Sequence, residues 1–318
     1  MPNQIYVGTL NTAILTGILA SLSNQSDESS SSSNSSSSEA QPPKLPNRFI
    51  ATARRPESLK RIEAAVAQYK RDVTTLQDNL EAVKQADVVL LGCKPYMFKD
   101  ILGAEGMKDA LAGKMLISIL AGVTARQLEE FVYGSVSEKT PEKEGRCRMV
   151  IALPNTASAV RESMTVIANP SPPMAAEQTA LVQWIFERIG RVQMVAPNLM
   201  DVSTALCGSG PAFMALVMES LIAGAVSMGL PRDQAQQMAA QTMRGTTGLV
   251  LAGEHPAILR DKVTTPGGCT IGGLLVLEEG AVRGTIAKAV REATVVVGQL
   301  GKGVQGANGT RLVRTLDT

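Results

Sequence analysis

Three short runs in this chain combine residue types and spacing that could do chemistry. In the first, Thr264-Thr265-Pro266-Gly267-Gly268-Cys269-Thr270 leads into an apolar helical pattern with Leu274 and Leu277. Hydroxyls, a rigid proline and paired glycines ahead of a helix give an anion-binding backbone with a hydroxyl donor at its mouth. A carboxylate suits such a place, although a tight turn that merely caps a helix has the same composition. The second run, Tyr6-Val7-Gly8-Thr9-Leu10-Asn11, lies between a strand-like segment at 4–7 and a helical pattern that puts Ala13, Ile14, Ile18 and Leu19 on one stripe. A strand-turn-helix receives the pyrophosphate of a dinucleotide where glycines let the backbone come close. Against G-x-G-x-x-G only the middle glycine, Gly8, is present, and Tyr6 and Asn11 hold the outer positions. The third run, Thr52-Ala53-Arg54-Arg55, closes the next strand. An acidic residue there would grip the ribose 2′-OH of NAD, whereas a basic pair suits the 2′-phosphate of NADP; a solvated pair at a helix start is the other reading.

The remaining composition narrows the chemistry. The chain has 318 residues, with 31 Lys and Arg against 29 Asp and Glu, so a formal charge of +2 gives no case for nucleic acid or an anionic membrane as partner. Small molecules fit better, and an aromatic content of 3% leaves few platforms for stacking bases. His255 is the single histidine, which removes a histidine-based triad unless it serves and argues against an imidazole metal site. The four cysteines, Cys93, Cys147, Cys207 and Cys269, form no CxxC pair, so neither a disulfide framework nor a metal site is expected, and the thiols are read as reduced and cytoplasmic. Before Lys44 there is no Lys or Arg, and the apolar run 13–22 lacks the basic flank of a signal peptide. No uncharged apolar run reaches the roughly 18 to 20 residues that span a bilayer.

These groups need elements to hold them. Strand-like runs at 4–7, 48–53, 86–92, 115–119, 149–153, 164–168 and 191–195 alternate with helical patterns, one beginning near Pro56, one around 76–85, one over 98–111 and one containing Trp184. That alternation calls for a parallel, doubly wound α/β sheet of the Rossmann type over residues 1–200. Within it, Ser29 to Ser38 contains nine serines and one asparagine, so 24–46 is expected to be a disordered insertion. Residues 201–300 are read as all-helical, with 212–228 and 232–251 the clearest helices, and their apolar content suggests packing between subunits. A flexible tail is expected over 301–318.

The run Thr264 to Gly273 resembles the signature of the pyrroline-5-carboxylate reductase family. It is accompanied in order by Lys94-Pro95, Ala121-Gly122-Val123, Pro154-Asn155-Thr156 and Gly208-Ser209-Gly210-Pro211-Ala212. The resemblance covers most of the chain outside the serine run and the tail. It implies a Rossmann domain followed by a helical dimerisation domain, giving a homodimer that commonly assembles into a decamer. It also implies reduction of the C=N bond of 1-pyrroline-5-carboxylate to L-proline with NADPH or NADH. Thr270 would then meet the ring nitrogen, with Thr265, Gly267, Gly268 and Cys269 holding the carboxylate through hydroxyl and backbone N–H groups. The cofactor would lie against Gly8, Thr9, Leu10, Asn11, Arg54, Arg55, Lys94 and Pro95, with Ala121 beside the nicotinamide. An imine that binds protonated is already an electrophile, so positioning can serve without a strong general acid. Tyr6 and Asn11 stand where the family has glycines, and Ile151 where it commonly has Arg. The alternatives are a homologue acting on another cyclic imine, or a non-catalytic small-molecule-binding dimer.

Overall fold

The structure, a computed structural model, describes residues 4–7, 12–28, 42–69, 73–137, 139–302, 304 and 307–310. Compactness divides the chain into two units, residues 1–208 with 294–318, and residues 209–293. The first unit runs β1 (Gln4–Val7), α1 (Thr12–Glu28), β2 (Arg48–Thr52), α2 (Pro56–Val66), β3 (Val73–Leu76), α3 (Asn79–Gln85), β4 (Val88–Leu91), α4 (Phe98–Leu102), α5 (Met107–Ala110), β5 (Met115–Ser118), α6 (Ala125–Tyr133), β6 (Arg148–Leu153), β7 (Ser163–Ala168), α7 (Ala176–Glu187), β8 (Gly190–Val195) and α8 (Met200–Ser203). Its sheet has the order β3-β2-β1-β4-β5-β6-β7-β8.

Residues on β4 and β5 are buried throughout because helices cover both faces. Val88 and Leu90 join Phe49, Ile117 and residues of α1 and α7, including Ile14, Ile18, Trp184 and Phe186, in one core. Val89 and Leu91 face a second core with Leu102, Met107, Leu116, Leu128 and Ile151. The period of two along each strand thus splits consecutive apolar residues between two layers. Helix starts are set locally. Asp78 accepts from the N–H groups of Leu80 and Glu81 at the head of α3, and Pro56 opens α2. Thr124 and Gln127 form a capping box on α6, which stops at Gly134 in the left-handed region.

Several sequence expectations are corrected. The sheet is not wholly parallel: β7 runs antiparallel to β6, because the short 154–162 connection carries only a five-residue 3-10 helix, too little for a parallel crossover. A half-polar strand, β3, precedes α3 where a helix was expected from residue 76. The helix expected over 98–111 is two helices, broken at 103–106, where Gly106 has a φ of 79°. The expected disorder over 24–46 does not hold at its ends, since α1 continues to Glu28 and Leu45 packs on the core. The serine run itself lies outside the described residues. Nor is the described part of the tail loose, because the Gln299 carboxamide both donates to and accepts from the Gly309 backbone at 2.9 Å.

The second unit holds α9 (Gly210–Ser227), α10 (Arg232–Leu251), α11 (Pro256–Val263), α12 (Cys269–Glu279) and most of α13 (Val282–Gly301), whose last turns from Thr294 belong to the first unit. Ile222 and Ala235 are its buried apolar residues, while Leu216, Leu221, Met228, Leu251, Val263 and Val276 are exposed. A helical unit this poor in buried side chains needs further apolar surface to cover it. The helical stretch Pro197–Ser227 is long and apolar enough, by length and composition, to cross a membrane; it carries Asp201 and Glu219.

Candidate functional site

In an open α/β sheet, ligands bind outside the carboxyl ends of the strands where the strand order reverses. Here that point lies between β1 and β4, which are adjacent and parallel. The connection from β1 to α1, holding Gly8, Thr9, Leu10 and Asn11, lies outside the described residues, as does the Tyr6 side chain. The carboxyl ends of β2, β4 and β5 are described, and each is followed by residues singled out from the sequence. Arg54 and Arg55 follow β2, both exposed, with Arg55 in extended conformation as the N-cap of α2. Neither guanidinium has an ion-pair partner among the described residues. A cavity of about 260 Å³, lined by Thr12, Ser58, Arg61 and Ile62, opens between the start of α1 and the first turns of α2. Three cations stand at the end of β2 and on the face of α2, with no acidic residue at the strand end, which suits an anionic group there.

Lys94 and Pro95 follow β4 in a short 3-10 turn and are exposed. Ala121 and Gly122 follow β5, and Gly122 has a φ of 75°. The end of β4 also bears Cys93, whose thiol is pushed up to about 11 by burial, so it stays protonated at neutral pH and offers no thiolate. A second cavity, lined by Lys108, Tyr133, Glu144 and Arg146 among others, precedes β6 and so belongs to the amino-terminal ends of the strands, opposite the carboxyl ends.

On the second unit, Thr264 to Thr270 form the connection from α11 to α12. The Thr264 hydroxyl donates to the Arg260 carbonyl at 2.7 Å and closes α11. Pro266 and Gly267, the latter with a φ of 68°, make the turn in which the Gly268 N–H donates to the Thr265 carbonyl at 3.1 Å. A Cβ on Gly268 would collide with the Thr265 hydroxyl, so the turn brings that hydroxyl against the helix start. Gly268 is the N-cap of α12 and supplies no side-chain cap. The N–H groups of Cys269, Thr270 and Ile271 are therefore left without intrahelical partners. Thr270 sits one position inside the helix and is half-buried, with no side-chain hydrogen bond among the described residues. Its hydroxyl thus does not cap α12.

Two polar residues matter more in the structure than their sequence signal suggested. The Asn155 side chain accepts from the Ala157 N–H at 3.0 Å and donates to the Cys207 carbonyl at 2.9 Å, and its backbone N–H donates to the Ser163 hydroxyl oxygen at 3.0 Å. The motif Pro154-Asn155-Thr156 pointed to it, but not to these partners. Gln127 had no signal beyond its place in a capping pattern. His255 is exposed and accepts from Ala257 N–H as the N-cap of α11, which gives it a local structural task. Ile151 is buried in the second core. Among the described residues no group of His, Cys, Asp and Glu could hold a metal.

Residues 197–300 match the family model described as pyrroline-5-carboxylate reductase dimerisation, and residues 32–122 the one described as NADP oxidoreductase, coenzyme F420-dependent. The chain is 62% identical over 305 residues to a pyrroline-5-carboxylate reductase of Lophium arboricola, covering 96% of this chain and 94% of that protein. It is 51% identical over 321 residues to the pyrroline-5-carboxylate reductase of Neurospora crassa, with the same shares covered. Among solved structures, a pyrroline-5-carboxylate reductase from Coxiella burnetii superposes with a TM-score of 0.73 at 29% identity, covering 95% of this chain and 98% of that one.

Proposed function

Because the chain belongs to the pyrroline-5-carboxylate reductase family, we propose that it reduces the C=N bond of 1-pyrroline-5-carboxylate to L-proline and takes NADPH in preference to NADH. It is an oxidoreductase with a nicotinamide cofactor. The observation that carries the reading is the start of α12, which presents N–H groups without intrahelical partners, the Thr265 hydroxyl and the Thr270 hydroxyl, the last with no hydrogen-bond partner among the described residues. The substrate carboxylate is held by these N–H groups, at Cys269 and the residues that follow it, and by Thr265 across the Gly267–Gly268 turn, in the manner of an anion at a helix N-terminus. Thr270 donates to the ring nitrogen as it becomes an amine. When bound, NADPH supplies the hydride that goes to C5. Holding a protonated cyclic imine at the right distance removes much of the barrier, and no histidine or thiolate is required for that.

Arg54 and Arg55 hold the 2′-phosphate, while Lys94, Pro95 and Ala121 border the nicotinamide half of the cofactor. The match to a dimerisation region supports an oligomer, and the exposed apolar residues of α9 to α12 are its contact surface, in a homodimer from which a decamer can be built. Titration of NADPH and NADH against wild type and Arg54→Ala/Arg55→Ala, followed by turnover, tests the reading. Charge-assisted contacts to the 2′-phosphate contribute on the order of 1.5 to 3 kcal/mol, so the double variant should lose about 10-fold to 150-fold in NADPH affinity and nothing for NADH. Equal affinities that do not change in the variant would remove the preference, and a wild type without turnover would remove the activity.

A further inference from the structure

The turn after β5 is held from outside by the end of α13. A Cβ on Gly122 would stand 3.1 Å from the backbone nitrogen of Gly301, and a Cβ on Gly301 would stand 2.5 Å from the Gly122 carbonyl oxygen. The two backbones can approach this closely only because both residues are glycine. One side chain fastens the approach. The Gln127 carboxamide oxygen accepts from the Thr124 N–H at 2.9 Å and from the Thr124 hydroxyl at 3.0 Å, closing the capping box of α6. Its nitrogen donates to the Gly301 carbonyl oxygen at 2.5 Å. One amide therefore ties the 121–124 turn to the last residue of α13, and the Gln299 bonds to Gly309 secure that helix end in turn.

In a doubly wound sheet a dinucleotide lies across the two halves. With the 2′-phosphate at the end of β2, the nicotinamide half falls to the turns after β4 and β5. We infer that Gln127 is a positioning residue for hydride transfer: by clamping Gly301 against Gly122 it fixes the Ala121–Gly122 turn that borders the nicotinamide. The inference rests on the cofactor placement proposed above. Gln127 touches neither cofactor nor substrate in this role. Its effect is on where the turn stands, so it should appear in the rate of the chemical step more than in cofactor affinity.

Gln127→Glu is the discriminating variant. A carboxylate keeps the acceptor that closes the capping box but sets a negative oxygen against the Gly301 carbonyl in place of a donor. A protonated carboxyl can donate again, and facing that carbonyl it should titrate above its ordinary range. At neutral pH, kcat should fall about 10-fold to 100-fold while the NADPH dissociation constant stays within about twofold of wild type. The ratio of variant to wild-type kcat should rise as pH falls toward about 5. Gly301→Ala should reproduce the loss of kcat without the pH-dependent recovery. Amide hydrogen exchange without cofactor should be faster than wild type at 121–124 and 297–301 in both variants. Wild-type kcat in Gln127→Glu, a ratio that does not change with pH, or unchanged exchange would each overturn the proposal. A wild type without turnover would sink the reductase reading alone, since the exchange experiment still decides whether Gln127 holds the turn.

Discussion

Thr270→Val keeps the β-branched outline of the side chain and removes only its hydroxyl. That hydroxyl makes no hydrogen bond among the described residues, and the N-cap of α12 is Gly268, so the fold loses no polar contact. Thr and Val also have similar helix propensity. The expected change in stability is within about 0.5 kcal/mol, a shift of roughly 1 to 2 °C in the melting midpoint. The reaction is affected differently. A hydrogen bond to a ring nitrogen that turns from imine to amine contributes roughly 1 to 3 kcal/mol at the transition state, and its loss lowers kcat/KM about 5-fold to 150-fold. Melting midpoint, NADPH affinity and kcat/KM for pyrroline-5-carboxylate are to be measured on one preparation, with Thr270→Ser as the variant that keeps the donor and regains most of the rate. Thr264→Val is the opposite control, because its hydroxyl closes α11 on the Arg260 carbonyl; it should lose stability and keep its rate. A Thr270→Val protein with kcat/KM within about twofold of wild type would refute the assignment. So would a loss of rate that only tracks the amount of unfolded protein.

Two further expectations concern the scaffold. The Thr165 hydroxyl is buried in β7 with no hydrogen-bond partner among the described residues, so Thr165→Val should raise stability by about 1 kcal/mol by removing an unsatisfied polar group at constant shape; a lower melting midpoint would mean the hydroxyl has a partner after all. Arg148, almost fully buried, holds Glu142 through bonds of 2.9 and 2.7 Å and brings its carboxyl from 4.5 down to about 2. Because the folded-state value is the lower one, this pair stabilises fully above about pH 4.5 and its contribution is lost as pH falls toward 2. After allowance for solvent screening, Glu142→Gln should cost about 1 to 2 kcal/mol at neutral pH. The gap to wild type should close in acid, and a gap independent of pH would contradict the pairing.

What the sequence disclosed follows from which forces act locally. The run at 86–92 could be read as a central strand because a strand covered on both faces must be apolar at consecutive positions, and β4 is buried throughout. Helices α2 and α10 were legible because a proline at the first turn and an unbroken 20-residue pattern are properties of the segment alone. Strand β3 was not, since Val73-Thr74-Thr75-Leu76 is short and half-exposed, and its pairing with β2 makes it a strand. The reversal at β7 was hidden for the same reason: strand direction is set by pairing and by connection length, and the residues of β7 would suit either direction. The break between α4 and α5 was hinted at only by Gly103 and Gly106, which a helical pattern tolerates at modest cost.

The candidate site follows a similar division. Its charged and glycine-rich parts, Arg54, Arg55 and Thr264 to Thr270, stand out in sequence because their residue types are unusual for their places. Other polar residues of the first unit are ordinary amides. Asn155 and Gln127 act on backbone groups distant in sequence, with Gln127 reaching Gly301 and Asn155 reaching Cys207, and no spacing rule connects such partners. A reaction that relies on titratable groups would have advertised itself through histidines, carboxylate pairs or an activated thiol. Here the single histidine caps a helix and burial keeps the Cys93 thiol protonated. For a substrate that arrives as an electrophile, precision of placement is what remains to be supplied. Glycine backbone contacts and single amide bridges supply it, so the substitutions that damage this enzyme most should include residues whose side chains carry no charge at all.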